Sequence, residues 1–308
     1  MKVFLSSVLP FVLMIGCFVV PIYVVLWVRK WQRRNRRSAL SAKLLRGPGE
    51  TLRRELDNLG TDLSAYLAVL MALPIFVFAV HVSQSYFVGS PEVITRWLFS
   101  GVTTAGLIAL LSFKVYRLVR SRFELQNGLE AEFAMGQELD QLMREGAVVF
   151  HDFPAEGFNI DHVVLTRGGM YAVETKGRMK PDRGGGAKEA KVEFTGEVLS
   201  FPDWRDTKTL GQAKRQAKWL TKWLSSAVGE SIGVRPVVAL PGWYVERTGR
   251  ADVTVISGRE APALLKGWQS VPFSDQMMTR IAHQLEQRCR DVEPTLYGKQ
   301  EKFGRATR

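Results

Sequence analysis

The first 122 residues carry three long apolar runs separated by polar segments. The runs lie at residues 3–28, 63–82 and 97–119. An apolar stretch of about 20 residues is long enough to cross a bilayer as an α-helix. The pattern therefore predicts a membrane region at residues 1–122 with three transmembrane helices. The alternatives for the first run are a cleaved signal peptide or a lipoprotein cleavage site at Cys17, but its length and its continuation through Trp27 favour a retained anchor.

Beyond residue 122 the apolar segments are shorter and change between helical and strand-like spacing. Helical spacing is found at residues 120–145, 207–228 and 274–288. Strand-like runs lie at residues 147–150, 160–165, 171–175, 191–194, 197–201, 235–240 and 252–257. This mixture predicts an α/β domain at residues 123–258, followed by a C-terminal helical extension and basic tail at residues 259–308.

The most informative pair of strands covers residues 159–165 and 170–176, with Gly168-Gly169 at the turn between them. Alternating apolar runs around a Gly-Gly pair are typical of a β-hairpin. Side chains alternate faces along a strand, so three charged groups share one face: Asp161, Glu174 and Lys176. A two-residue Gly-Gly loop puts Asp161 opposite Lys176, whereas a four-residue loop puts it opposite Glu174.

Two carboxylates and an ammonium on one patch of sheet match the chemistry of a divalent cation site. Mg²⁺ takes oxygen ligands, commonly one or two carboxylates together with water and substrate phosphates. A neighbouring lysine can orient water or stabilise developing charge, so phosphodiester hydrolysis is the reaction that this group favours. The alternative is a surface hairpin on which Glu174 and Lys176 form a weak ion pair and Asp161 is solvated.

Four segments together resemble the nuclease-related domain, or NERD, family. They are Gly-Gln-Glu at 136–138, Val-Val-Phe-His-Asp at 148–152, Asn-Ile-Asp-His-Val-Val at 159–164 and Gly-Met-Tyr-Ala-Val-Glu-Thr-Lys at 169–176. That family is similar to the restriction-endonuclease-like nucleases with an Asp…Glu-x-Lys core. The resemblance implies a mixed sheet flanked by helices over about residues 128–245, with three transmembrane helices before it.

The resemblance also implies roles for five residues. Asp161 and Glu174 would be ligands of Mg²⁺ or Mn²⁺, and Lys176 would be the catalytic lysine. Glu138 would be an acidic residue of the first helix that points into the same site, and Gln212 the glutamine of the helix after the core sheet. The chain departs from the family pattern at 177–178, where it has Gly-Arg, and at 209–210, where it has Thr-Leu.

Basic residues predict how the chain is oriented in the membrane. Residues 29–60 contain ten Lys or Arg and three acids, a net +7 out of +12 for the whole chain. By the positive-inside rule this loop is cytoplasmic and the N-terminus is outside. Four more basic residues, Lys114, Arg117, Arg120 and Arg122, lie at or just after the end of the third run, so the α/β domain is also predicted to be cytoplasmic. The cluster from Arg29 to Arg37 is predicted to contact anionic lipid, with nucleic-acid binding as the alternative.

Three further features limit the functional classes. The predicted helix at 207–228 has a basic side that could hold phosphate backbone or simply face solvent. The two cysteines, Cys17 and Cys289, lie in different predicted units, which excludes a disulfide framework or zinc cluster. His162 is on the hairpin face opposite Asp161, so packing or a structural hydrogen bond is favoured over catalysis.

The sequence therefore predicts a multi-pass inner (plasma) membrane protein with a cytoplasmic, metal-dependent nuclease-like domain that hydrolyses DNA, or RNA. The alternative in another class is a membrane-tethered nucleic-acid-binding module with little catalytic activity. A purely structural scaffold is disfavoured by the Asp161, Glu174 and Lys176 triplet. Oligomeric state and the choice between endonuclease and exonuclease remain open from sequence.

Overall fold

The structure of the protein is a computed structural model that describes residues 2–33, 42–88, 93–184, 186–249 and 251–293. The chain divides into two compact units. The first unit comprises Met1–Ala42, Asp57–Arg122 and Pro294–Arg308. The second comprises Lys43–Leu56 and Phe123–Glu293, so it contains the predicted domain at 123–258 together with two segments outside those limits.

The chain has three long helices, α1 (Lys2–Arg33), α2 (Glu50–Val88) and α3 (Val93–Gln141). The first unit contains α1, the part of α2 from Asp57 and the part of α3 up to Arg122. Among the described residues, two stretches are long and apolar enough to cross a membrane, Glu50–Val82 and Trp97–Glu145. They contain the predicted second and third spans, and the most apolar part of each has no buried residue. Length and composition alone are weak support for membrane spans.

The prediction of three spans is therefore reduced to two. The first predicted span lies in α1, half of whose side chains fall outside the described ones, including that of Cys17. Residues 34–41, which carry much of the predicted basic cluster, also lie outside the described residues. So do residues 89–92 of the predicted outer loop and the predicted basic tail.

The second unit is an α/β fold with two mixed sheets, which confirms the predicted fold class at this level. The larger sheet has the order β1-β2-β3-β7-β9. Its strands are β1 (Val148–Pro154), β2 (Asn159–Thr166), β3 (Gly169–Thr175), β7 (Val234–Ala239) and β9 (Thr254–Ile256). β1, β2 and β3 pair antiparallel, whereas β3, β7 and β9 pair parallel.

The smaller sheet has the order β6-β5-β4-β8. Its strands are β4 (Lys191–Phe194), β5 (Leu199–Ser200), β6 (Arg205–Asp206) and β8 (Tyr244–Arg247). β4 and β5 form the second predicted hairpin, with Phe194 opposite Leu199. Short 3-10 helices at Leu142–Glu145, Gly186–Ala190 and Gly258–Lys266 complete the connections.

Helices cover both faces of the larger sheet. On one face, Val163 and Ala172 pack with α4 (Lys208–Val228) and α5 (Asp275–Cys289). On the other face, Val164 and Val173 pack with the end of α3. Because successive residues of β2 and β3 are buried on alternate faces, both strands are buried throughout.

The hairpin register is one that the sequence left open. Thr166 pairs with Gly169 and His162 with Val173, so the two loop residues are Arg167 and Gly168 rather than Gly168 and Gly169. Continued by one residue, this register places Asp161 opposite Glu174, as the longer predicted loop would have done. Gly169 lies against the indole of Trp268, where a Cβ would come within 2.4 Å, and this contact keeps it inside the strand.

Segment 43–56 belongs to the second unit through a buried polar cluster, called here the Asp152 cluster: Arg46, Thr51, Asp152, Asn159 and Asp291. The Asp152 carboxylate accepts hydrogen bonds from Arg46 (2.8 Å), from the Thr51 backbone N–H (2.9 Å), from its hydroxyl (2.7 Å) and from Asn159. Arg46 also binds Asp291 through two nitrogens, each at 2.7 Å. Asp152 has a φ of 46°, and this strained backbone is held by that network.

Candidate metal and catalytic site

Asp161 and Glu174 are carried by neighbouring strands on the face that packs against α4. Asp161 lies two residues before Val163 and Glu174 two residues after Ala172, so each shares a strand face with a residue of the core on that side. Their exposed fractions are only 7% and 2%. Two buried carboxylates this close together are costly unless a cation or donors compensate them.

Glu174 is held by three donors. Gln212 Nε2 lies 2.7 Å from its Oε1, and Gln216 Nε2 lies 2.5 Å from its Oε2. The Lys176 ammonium is 2.5 Å from Oε1 and also donates to Gln212 Oε1 at 3.2 Å. The structure thus brings together four of the five predicted site residues: Asp161, Glu174, Lys176 and Gln212.

The environment of Asp161 favours its protonated form when no cation is bound. Burial, together with the charges of Glu174 and Glu132, raises the pKa of Asp161 well above its usual value. One oxygen accepts a hydrogen bond from the Thr175 backbone N–H at 2.6 Å, which opposes this shift. A charge that is unfavourable in the free protein can be satisfied by a bound cation.

A third carboxylate, that of Glu132 on α3, belongs to the same group and was missed in the sequence. Burial, and then repulsion from Asp152 and Glu174, raises the pKa of Glu132 to about 8. Lys176 and a hydrogen bond from the Gly49 backbone act in the opposite direction. We call Glu132, Asp161, Glu174, Lys176, Gln212 and Gln216 the carboxylate site.

Glu138, the acid predicted from α3, is not brought to this group. It lies six residues after Glu132, which is about 120° around the helix, and lines a separate cleft beside Ala134 and Trp243. Helical spacing could have identified Glu132, because it precedes the buried row of Met135, Leu139 and Leu142 by three residues. An acid on the buried stripe of a helix was the missed signal.

Gln216 was recognised only as a neighbour of Gln212, yet it is the more buried of the two. It is 3% exposed, and its Nε2 donates to Glu174 and also to the Asn159 carbonyl at 3.2 Å. Its spacing of four residues from Gln212 puts both amides on one face of α4. Ala213, Ala217 and Leu220 around it are buried, which is again a signal in the sequence.

The oxygens in and around this site fit a hard cation. Glu132 Oε2 and Gln216 Oε1 are buried oxygens without a hydrogen-bond partner among the described residues. Oxygen ligands are what Mg²⁺ and Mn²⁺ take. Within the described part of the chain no three His, Cys, Asp or Glu side chains are already grouped as a metal centre. The protein would thus supply two carboxylates, and water and phosphate the remaining ligands.

The histidines are separate from this chemistry. His162 Nδ1 lies 2.8 Å from His151 Nδ1, and His151 Nε2 lies 3.0 Å from Asp140 Oδ1. Burial, and then the charge of His151, lowers the pKa of His162, which favours the neutral ring. This confirms the prediction of a structural hydrogen bond. Cys289 is buried, and burial raises the pKa of its thiol to about 12.

Comparison with known proteins gives one match. No curated protein and no solved structure matches the chain significantly. Residues 127–241, which include the whole carboxylate site, match the model of the nuclease-related domain (NERD) family, and this match suggests a nuclease-related function.

Proposed function

We propose that the second unit is a metal-dependent phosphodiesterase acting on nucleic acid, with a restriction-endonuclease-like core. The observation that carries this proposal is the charge of the carboxylate site, where three buried carboxylates, Glu132, Asp161 and Glu174, repel one another and only Glu174 contacts an ammonium, that of Lys176. A structural cluster would lower its charge or match it with donors, whereas a cation site keeps the excess negative charge for its ligand.

Asp161 and Glu174 would hold Mg²⁺ or Mn²⁺, and Glu132 would support them from α3 by adding negative charge beside the cation. When bound, such a cation supplies a polarised phosphoryl oxygen and a water of lowered pKa. Gln212 and Gln216 fix the orientation of the Glu174 carboxylate, since each donates to a different oxygen. This positioning restricts the rotamers available to Glu174 and so pre-organises the site.

Lys176 is proposed to act on water or on the charge that develops at the phosphate. Its side chain is 23% exposed, so it is accessible to a substrate while it remains bonded to Glu174 and Gln212. A lysine with two fixed partners loses little freedom when the substrate arrives. It can therefore stabilise negative charge without binding the metal itself.

The exposed side of α4 is proposed to hold the phosphate backbone. Four basic residues lie in a stripe next to the row that carries Gln212 and Gln216: Lys208, Arg215, Lys218 and Lys222. Contacts between such residues and phosphates are electrostatic and independent of sequence. We propose DNA as the first substrate to test, and RNA as the second.

The location that we propose is the cytoplasmic side of the inner (plasma) membrane. The two apolar stretches within Glu50–Val82 and Trp97–Glu145 support anchoring, and the basic residues around them support a cytoplasmic catalytic unit with the N-terminus outside. The cluster from Arg29 to Arg37 is proposed to contact anionic lipid. Reporter fusions at Arg308 and within residues 84–94 test this orientation.

The activity is tested with the full chain in detergent or lipid nanodiscs. Labelled DNA and RNA are incubated with Mg²⁺, Mn²⁺ or EDTA. We expect cleavage that needs the divalent cation and that Glu174→Gln abolishes. Cleavage that persists in EDTA, or in Glu174→Gln, would contradict the proposed site.

A second candidate function is binding of nucleic acid with little hydrolysis. It is favoured by the fact that both oxygens of Glu174 are already occupied by Gln212, Gln216 and Lys176. A bound cation would have to compete with these donors. Binding of nucleic acid without cleavage, in Mg²⁺ and in Mn²⁺, would support this alternative.

A further inference from the structure

A cleft of about 790 Å³ lies at the ends of strands from both sheets. Pro241 and Gly242, which follow β7, and Ser257, which follows β9, line its floor. Lys191 and Tyr244, the first residues of β4 and β8, are register partners and form a wall. Crevices at the carboxyl ends of parallel strands are the usual ligand sites of open α/β sheets.

The cleft adjoins the carboxylate site along two elements. The Lys176 backbone N–H donates to the carbonyl of Ala239, the last residue of β7, at 3.0 Å, and Pro241 follows two residues later. On α3, Ala134 lines the cleft two residues after Glu132. Two residues span at most about 7 Å. The cleft lining is therefore joined to Lys176 and Glu132 by short stretches of backbone, and we infer that a strand of several nucleotides reaches from the cleft to the carboxylates.

The charges in the cleft favour phosphate. Three basic side chains line it, Lys188, Lys191 and Arg259, against the single acid Glu138. Lys191 is paired with Glu246 at 2.6 Å. Lys188 and Arg259 are exposed and form no ion pair with any residue that the structure describes, so they are available to a ligand. Glu138 repels phosphate from the α3 wall and leaves that side to a base or sugar.

Two adjacent aromatic residues differ in what they can offer. Trp243 is 2% exposed, and its indole N–H donates to the Arg178 carbonyl at 3.1 Å, which fixes the ring. Tyr244 lines the cleft and is 67% exposed, so most of its surface is accessible to a ligand. An exposed ring beside free cations is the arrangement that stacks unpaired bases while the backbone is held by charge.

We propose that this cleft binds single-stranded nucleic acid next to the bond that is cut, with a base stacked on Tyr244 and phosphates on Lys188 and Arg259. This inference rests on the proposed phosphodiesterase and names its substrate class. Bases of a duplex are stacked on one another and cannot present a face to the tyrosine. The preferred substrate is therefore a single strand, an overhang or a frayed end.

Binding is tested by fluorescence anisotropy with the full chain in EDTA, where no catalytic residue needs to be altered. A labelled single strand is compared with a blunt duplex of the same sequence. The single strand should bind more tightly, and Tyr244→Ala should weaken its binding about 10-fold with little change for the duplex. Tyr244→Phe, which keeps the ring, should recover most of the lost affinity.

The phosphate contacts are tested by salt titration. The double variant Lys188→Ala, Arg259→Ala should reduce the slope of log K against log salt by roughly 1.4 for a single strand, about 0.7 for each contact. Arg144→Ala is the matched control. Arg144 is an exposed residue just before β1, whose start pairs with the far end of the hairpin from Glu174.

Two outcomes separate the failures. Equal binding of both substrates, together with no effect of Tyr244→Ala, would overturn the single-strand proposal even if Mg²⁺-dependent cleavage is observed. Absence of both binding and cleavage for every DNA and RNA would refute the proposed phosphodiesterase, and this inference with it.

Discussion

The second unit contains two buried charged clusters that share one strand region but differ in how they are satisfied. In the Asp152 cluster both oxygens of the central carboxylate accept hydrogen bonds, and Arg46 bridges Asp152 to Asp291. In the carboxylate site three acids face one lysine, and buried oxygens of Glu132 and Gln216 have no partner within the described structure. The first cluster is complete by itself, whereas the second leaves buried oxygens for the cation that we propose.

Asn159 connects the two clusters. Its amide donates to Asp152, and its carbonyl accepts from Gln216, which in turn donates to Glu174. Arg46 is buried beside two acids, and the hydrogen bond with Asp291 raises the pKa of its guanidinium. Segment 43–56 therefore supports the candidate site from outside the matched domain. A truncated chain that begins after the membrane region would leave Asp152 without its arginine.

The largest effect is expected at the metal ligands. Glu174→Gln or Asp161→Asn should reduce cleavage by about 10³-fold or more, because Lewis-acid stabilisation is worth several kcal/mol. The melting temperature should stay the same or rise, since a neutral amide removes repulsion between buried acids. Cleavage rates and thermal melts of the full chain measure both. A large drop in stability without loss of cleavage would mean that the carboxylate site is structural rather than catalytic.

Arg46→Met should produce the opposite result. Removing one partner of a buried pair typically costs about 3–5 kcal/mol, because Asp152 would be left charged and uncompensated. The control is Arg54→Met, which breaks the exposed pair with Glu50 and should cost only about 0.3–0.5 kcal/mol. Chemical denaturation followed by near-UV spectra gives both values. Equal costs for the two variants would show that the Asp152 cluster is not structural.

Lys176→Met should lower turnover by about 10²-fold and leave Mn²⁺ binding intact or slightly tighter. The ammonium competes with a cation for Glu174, and it is expected to act on the substrate rather than on the metal. Calorimetric titration with Mn²⁺, together with single-turnover rates, separates these effects. Loss of Mn²⁺ binding would mean that the lysine organises the ligands instead.

Two acids on α3 provide a matched pair. Glu132→Gln should weaken Mn²⁺ binding about 10-fold, as for residues that support a metal ligand. Glu138→Gln should leave it unchanged, because that side chain lies on the cleft wall. The same titration compares them. Equal effects would place the metal nearer the cleft than we propose.

The smallest effect is expected at Cys289. Burial raises the pKa of its thiol to about 12, so at pH 8 almost no thiolate is present and alkylation should be very slow. The Arg46 backbone N–H donates to the Cys289 carbonyl, so Arg46→Met should speed labelling by loosening segment 43–56. The assay uses a Cys17→Ala background. Fast labelling of the parent protein would contradict the packing described here.

The hairpin and the shared face of its charged residues could be predicted from sequence because alternation along a strand fixes which residues share a face. The common face of Asp161, Glu174 and Lys176 follows directly from this alternation. The apolar residues between them predict that the two strands are buried, as the structure shows. The register could not be predicted, since the loop had two possible lengths. The structure gives the register, and Gly169 at its turn packs against Trp268, almost 100 residues later, where a side chain would not fit.

The tertiary structure decided which helix residues complete the site, although helical spacing carried a signal for Glu132 and Gln216. Glu132 rather than Glu138 reaches the carboxylates because the phase of α3 is set by packing of Met135, Leu139 and Leu142 on the sheet. The contribution of Arg46 is equally invisible in the sequence, because it lies 106 residues before Asp152 and beyond two long helices. Local periodicity determines faces, whereas long-range packing determines which faces meet.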